Sequence, residues 1–140
     1  MSPRERFDRL YQRVMGAAQT GDTATVERFA PMVFAAYDQL DTVDADARYH
    51  AALLHLHLLN DTAAAFRLAD TILATNPRHL LGFLIQGTAA QLGGNLSRLA
   101  RARKALLAAW DVEQRAARPE YRDHQKMLDQ FRAAALASER

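Results

Sequence analysis

Cysteine is absent from this chain, which excludes disulfides and thiolate metal sites and leaves the redox compartment unmarked. Glycine (6) and proline (4) are scarce among 140 residues, and the abundant Ala, Leu, Arg and Gln favour helix throughout. No segment alternates apolar and polar residues long enough to read as a strand. The apolar runs, Ala51–Leu54 and Leu80–Ile85 among them, all fall far short of the ~20 residues that a membrane span requires. Residues Ser2 to Asp8 carry no apolar core of the kind a signal peptide needs. Direct membrane insertion is therefore not expected. A soluble cytoplasmic domain is the default, and a soluble domain of an anchored or exported protein is equally consistent with the residues.

Apolar residues make up 49% and charged residues 24%, the balance of an ordinary globular protein. A chain of 140 residues suggests one domain, large enough to bury roughly two-thirds of its unfolded surface without staples. The net charge of +2 is unevenly placed. Residues 22–46 set Asp22, Glu27, Asp38, Asp41, Asp44 and Asp46 against Arg28 alone, whereas residues 95–140 hold ten Lys or Arg against six acids. Such polarity biases encounter with a partner and does not decide the fold.

The segment Tyr49–Leu107 resembles itself when shifted by 34 residues. Tyr49 falls on Phe83, Leu56 on Ala90, Leu58 on Leu92, Asn60 on Gly94, Asp61 on Asn95, Ala65 on Leu99, Ile72 on Leu106 and Leu73 on Leu107. Seven helices can be read from their punctuation. Ser2, Pro3 and Glu5 form a capping box, followed by the stripe Phe7, Leu10, Tyr11, Val14 and Ala18. Thr20-Gly21-Asp22 leads into a second helix that Pro31 is expected to kink or split near Phe29–Ala30. Asp41–Asp44 caps a third helix, Asn60-Asp61 a fourth, Asn76-Pro77 a fifth and Gly93-Gly94-Asn95 a sixth. The fifth is apolar nearly all round, so it belongs in the centre. After Arg118-Pro119 a seventh helix carries Tyr121, Leu128, Phe131 and Ala135 on one side.

With Tyr49, Ala65 and Pro77 in one unit and Phe83, Gly87 and Ala90 in the next, residues 46–110 resemble the tetratricopeptide repeat family, whose period is about 34 residues. Helices 1 and 2 depart from the pattern, and the second unit has Asp111 where the closing proline would stand. The resemblance implies an all-α, right-handed stack of about three antiparallel hairpins: residues 1–40 a divergent first, 42–76 the second, 77–116 the third. Residues 118–138 would form a capping helix. It also implies a non-catalytic scaffold or adaptor that holds a peptide or protein segment in a concave groove. That groove would be formed by His50, Leu54, His57 and Leu58 from the third helix, and by Leu81, Leu84, Thr88, Gln91 and Leu92 from the fifth.

The third helix independently shows a second stripe, His50, Leu54 and His57, which requires a second neighbour. Either the first or the seventh helix folds over it, or a peptide or second subunit occupies it. Histidines there would make binding pH-sensitive. A structural or self-assembly role within a larger protein, and a homo-oligomer, remain alternatives.

Other chemistry finds less in the sequence. No two histidines lie four apart on one helix, and His50 and His57 stand about 10 Å apart by helical rise. Asp46/His50 and Glu120/His124 have the four-residue spacing, but surface pairing or capping explains them more simply, so no metal and no cofactor are expected. Asp41, Asp44 and Asp46 lack the glycine and glutamate of a calcium loop. Three serines and no phosphate-binding loop give catalysis no foothold. Arg98, Arg101, Arg103 and Lys104, with Arg115, Arg118 and Arg122, offer a nucleic-acid alternative. They wrap more than one helix face, and a solvated outer surface is the simpler account.

Overall fold

The computed structural model describes residues 1–140 and is all-α. Its helices are α1 (Pro3–Thr20), α2 (Thr23–Asp38), α3 (Ala45–Leu59), α4 (Thr62–Thr75), α5 (Leu80–Leu92), α6 (Leu96–Ala116), α7 (Pro119–Asp123) and α8 (Gln125–Ser138). Local chemistry sets most of the starts. Ser2 accepts from the Glu5 amide while the Glu5 carboxylate accepts from the Ser2 amide, so two orphan donors of α1 are satisfied reciprocally. Asp22, Asp44, Asp61 and Asn95 each accept the backbone N–H three residues on. Because two residues separate α1 from α2 and α3 from α4, these pairs must run antiparallel.

Most positions 34 apart behave alike in three dimensions, with Leu58, packed on the first-hairpin core, and Leu92, exposed, the exception. Tyr49 and Phe83 are buried, as are Ala65 and Leu99, Ile72 and Leu106, and Leu56 and Ala90. Asn60 and Gly94 both adopt left-handed backbone, with φ of 51° and 71°, and the residues after them, Asp61 and Asn95, both cap a helix. Gly and Asn tolerate that conformation better than other residues do, which explains the pairing of those two types.

Each helix from α1 to α6 packs on its neighbour in sequence; α1 also meets α3, α3 meets α5, and α8 lies on α5 and α6. Helix α5 is enclosed on nearly every side, with Leu80–Ile85, Gly87, Ala89 and Ala90 all buried. Helix α3 has two apolar faces because it divides two clusters. Tyr49, Ala52 and Leu56 join a core drawn from α3 to α8, while Leu54 joins Phe7, Tyr11, Val14, Val33 and Ala36 of the first hairpin.

Three boundaries differ from the sequence reading. Helix α2 runs unsplit through Pro31, since Pro31 and Glu27, whose carbonyl loses its partner, are both exposed and water can serve it. Helix α5 starts at Leu80 instead of Pro77: Asn76 closes a turn by accepting the Arg78 amide, and His79 takes over as cap. The expected seventh helix is two helices, broken at His124 (φ −121°, ψ 17°).

Two glycines separate packing from propensity. A Cβ on Gly82 would stand 2.6 Å from Leu73 Cγ and Cδ2, while one on Gly16 would meet nothing within 4 Å. Gly82→Ala is expected to destabilise by about 1 kcal/mol, overpacking outweighing the helix-propensity gain. Gly16→Ala, at an exposed position of α1, should stabilise by about 0.5–1 kcal/mol. Urea unfolding of the two variants gives the opposite signs directly.

Candidate functional site at the helix N-termini

The starts of α1, α3 and α7 converge on a concavity of about 580 Å³, lined by Arg4, Asp8, Asp44, Asp46, Pro119, Glu120 and Asp123. Five carboxylates thus face one guanidinium. Arg4 spreads its three nitrogens over three acids: Nε donates to Asp8 Oδ1 at 3.0 Å, Nη1 to Asp44 Oδ1 at 3.0 Å and Nη2 to Asp46 Oδ2 at 2.5 Å. Asp44 serves twice, since the same oxygen also caps α3 through the Ala47 amide.

Asp46 is the hub. Its Oδ1 accepts from His124 Nε2 at 2.7 Å, and His50 Nδ1 lies 3.6 Å from its Oδ2, one turn along α3. Burial favours the neutral acid, but the hydrogen bond from His124 and the neighbouring His50, His124 and Arg4 outweigh it and hold the carboxyl below its usual range. Burial depresses the His50 pKa against the pull of Asp46, so this imidazole is neutral at pH 7. Aromatic rings fix both histidines in place: Tyr11 lies 4.2 Å from His50 and Tyr49 lies 4.5 Å from His124, centroid to centroid. Burial, with Asp46 nearby, raises both tyrosine hydroxyl pKa values. One imidazole nitrogen from each histidine and a carboxylate oxygen of Asp46 fall within 4.8 Å of one another.

A buried network behind the concavity sets α7 in place. The Tyr121 hydroxyl accepts the Leu80 amide at 2.9 Å and donates to Glu113 Oε1 at 2.6 Å. Arg118 Nε donates to the same Glu113 oxygen at 2.9 Å. His79 Nδ1 accepts the Leu81 amide, so its proton sits on Nε2 and is donated to Glu120 Oε2 at 3.0 Å. The first amides of α5 are therefore satisfied by a side chain of α7 and by His79.

The residues expected to form a groove are mostly elsewhere. Leu54, Leu81 and Leu84 are core side chains with 2% exposure or less, because α1 covers the second face of α3 and α5 is enclosed. His50 is half-buried under Tyr11 and turned towards Asp46, and Leu58 packs on the first-hairpin core. Thr88 spends its hydroxyl on the Leu84 carbonyl. His57, Gln91 and Leu92 are exposed, His57 beside Met15, Ala18 and Gln19 of α1. The His50–Leu54 part of the second stripe is covered by the first helix, and His124 from the α7–α8 break closes on His50.

Glu120 and His124, four apart, do not pair; a helix break separates them, and each reaches a different helix, Glu120 to His79 and His124 to Asp46. The only local signal for this site was the Asp46/His50 spacing. The basic residues are dispersed, with Arg98 stacked 3.5 Å over the Phe66 ring and Arg118 bonded to Glu113. No helix is long and apolar enough to cross a membrane. Comparison with family models, curated proteins and solved structures finds no match.

Tyr121→Phe strands the buried Leu80 amide and leaves Glu113 with Arg118 alone, so a loss of about 1–3 kcal/mol in urea unfolding is expected. Acidity acts on the same network. Burial lowers the His79 pKa below 6.5 despite Glu120 and Glu113, with Arg118 adding to the effect. The unfolded chain then binds more protons below pH 6.5, and stability falls as pH drops through that window. For Glu113, burial favours the acid, but Arg118 and Tyr121 prevail and place its pKa below 4.5, extending the loss to lower pH. Melting temperature should decline from pH 7 to 5, and less steeply in His79→Asn, which keeps a cap but does not titrate.

Proposed function

We propose that the protein is a non-catalytic adaptor built as a tetratricopeptide-like, right-handed stack of about three hairpins with a C-terminal cap, and that it receives a cationic segment of a protein partner in the acidic concavity. The equivalence of positions 34 apart supports the repeat reading. The observation that carries the binding reading is the lining itself: five carboxylates and a single arginine in a space of about 580 Å³, the size of a side chain and its neighbours.

Arg4 demonstrates the chemistry, since a guanidinium already lies there on three carboxylates. Asp123, also in the lining, makes no ion pair and is free to take a second cation. Part of the negative charge offsets the positive ends of α1, α3 and α7. What remains selects by charge and steers encounter more than it grips. The apolar anchors first anticipated, Leu54 and Leu84, lie in the core, so this reading relies on polar contacts at the rim of α1, α3 and α7.

Fluorescence anisotropy with labelled peptides of equal length tests it. An Arg/Lys-rich peptide should bind, weaken as salt rises and be displaced by unlabelled copies, while a Glu-rich peptide should not bind. Asp44→Asn, which preserves the helix cap, and Asp123→Asn should each weaken binding by about two- to fivefold. Equal affinity for both peptides, or no response to either substitution, would sink the reading.

A further inference from the structure

We propose that Asp46, His50 and His124 form a binding site for a divalent transition metal, with Zn²⁺ the best fit to the donor set. The inference is independent of the adaptor reading. Two imidazoles and one carboxylate are the ligand types of open, three-residue zinc sites, and nitrogen-rich sets favour zinc and its neighbours over calcium or magnesium.

The geometry brings the three donors close together without yet setting them at coordination distances. Ligands of a tetrahedral ion with ~2.0–2.1 Å bonds stand about 3.3 Å apart. Here His124 Nε2 is 2.7 Å from Asp46 Oδ1 and His50 Nδ1 is 3.6 Å from Asp46 Oδ2, and one donor atom from each of the three residues lies within 4.8 Å of the others, so the side chains close further on binding. Asp46 and His50 share one face of α3 at the four-residue spacing that places two ligands on a helix, and the α7–α8 break supplies the third.

A second, independent observation points the same way. His50 Nδ1 is buried and makes no hydrogen bond, an uncompensated polar atom aimed at the carboxylate of Asp46. An ion between the three side chains would give that nitrogen a partner. Tyr11 and Tyr49 already restrict both rings, so little ordering remains to be done on binding. Arg4 opposes a cation, but Asp8, Asp44, Glu120 and Asp123 surround the same concavity and outnumber it. Asp46 lines that concavity, which leaves a path for entry from solvent.

The test uses tag-free, chelator-treated full chain at pH 7.5. Isothermal titration with Zn²⁺ should show one ion per chain, Mg²⁺ should give no heat, and Co²⁺ should develop visible absorption of four- or five-coordinate metal. His124→Gln and Asp46→Asn should each weaken zinc binding by at least about tenfold, while His57→Gln, an exposed histidine outside the cluster, should leave it unchanged. Wild-type protein supplies a readout that needs no folded variant: the ring nitrogens of His50 and His124 should shift in ¹⁵N NMR on zinc addition, and those of His57 should not. No stoichiometric zinc, or shifts confined to other histidines, overturns the proposal. So does binding that survives His124→Gln intact.

Discussion

The placement of every group on one wall of the concavity depends on the Tyr121 hydroxyl. Helix α7 has five residues and no side-chain cap, too short to persist by itself. What holds it is a buried phenol whose oxygen takes the first amide of α5 and gives its proton to Glu113 at the end of α6. Glu113, kept ionised by Arg118 and Tyr121, is an acceptor only and receives two charge-assisted bonds on one oxygen. The turn into this arrangement places Ala117 in left-handed backbone at φ 50°, a conformation that costs about 1–2 kcal/mol without glycine. The network offsets that cost and brings both Glu120 and His124 against helices far away in sequence.

The same logic explains why the polar groups gather at one end of the stack. Helix N-termini leave amides without partners and carry partial positive charge, so acids accumulate there as caps and as neighbours. Asp44 and Asp46 are such residues on α3, and Glu120 is one on α7. Once three helices start at the same place, residues chosen for local reasons become a shared field. Arg4 is the internal response to it, fanned across α1 and α3.

Local physics made much of the fold legible in the sequence. The caps at Ser2, Asp22, Asp44, Asp61 and Asn95 require only residues three apart, and the stripe of the first helix buries Phe7, Tyr11 and Val14 as its spacing implies. The enclosed α5 was visible because it has no polar face. Errors arose where a tertiary partner replaced a local one. Pro77 looked like the start of α5, but the His79 ring and the Tyr121 hydroxyl moved the start to Leu80. His124 looked like part of a helix, yet its ring is held by Asp46, 78 residues away in sequence. Leu54, Leu81 and Leu84 were assigned to a groove because the family resemblance says which helix faces inward, while only packing says what covers it. The concavity was invisible for the same reason: Arg4, Asp46 and Asp123 share no local pattern.

Two histidine–carboxylate contacts flank α7, and they differ in a way that burial alone does not show. At His79 both ring nitrogens are satisfied, one by the Leu81 amide and one by Glu120, so the pair is complete as a structural clip. At Asp46 the carboxylate serves Arg4 and His124, while a third neighbour, His50, keeps a buried Nδ1 unbonded. A fold that only needed to pin α7 could have done so with His124 alone. Buried polar atoms cost free energy unless paired, and in the first case the chain has paired them all. The unmet hydrogen-bonding capacity lies beside Asp46, the member of the trio that lines the concavity, and it is there that the proposed ion would supply the missing partner.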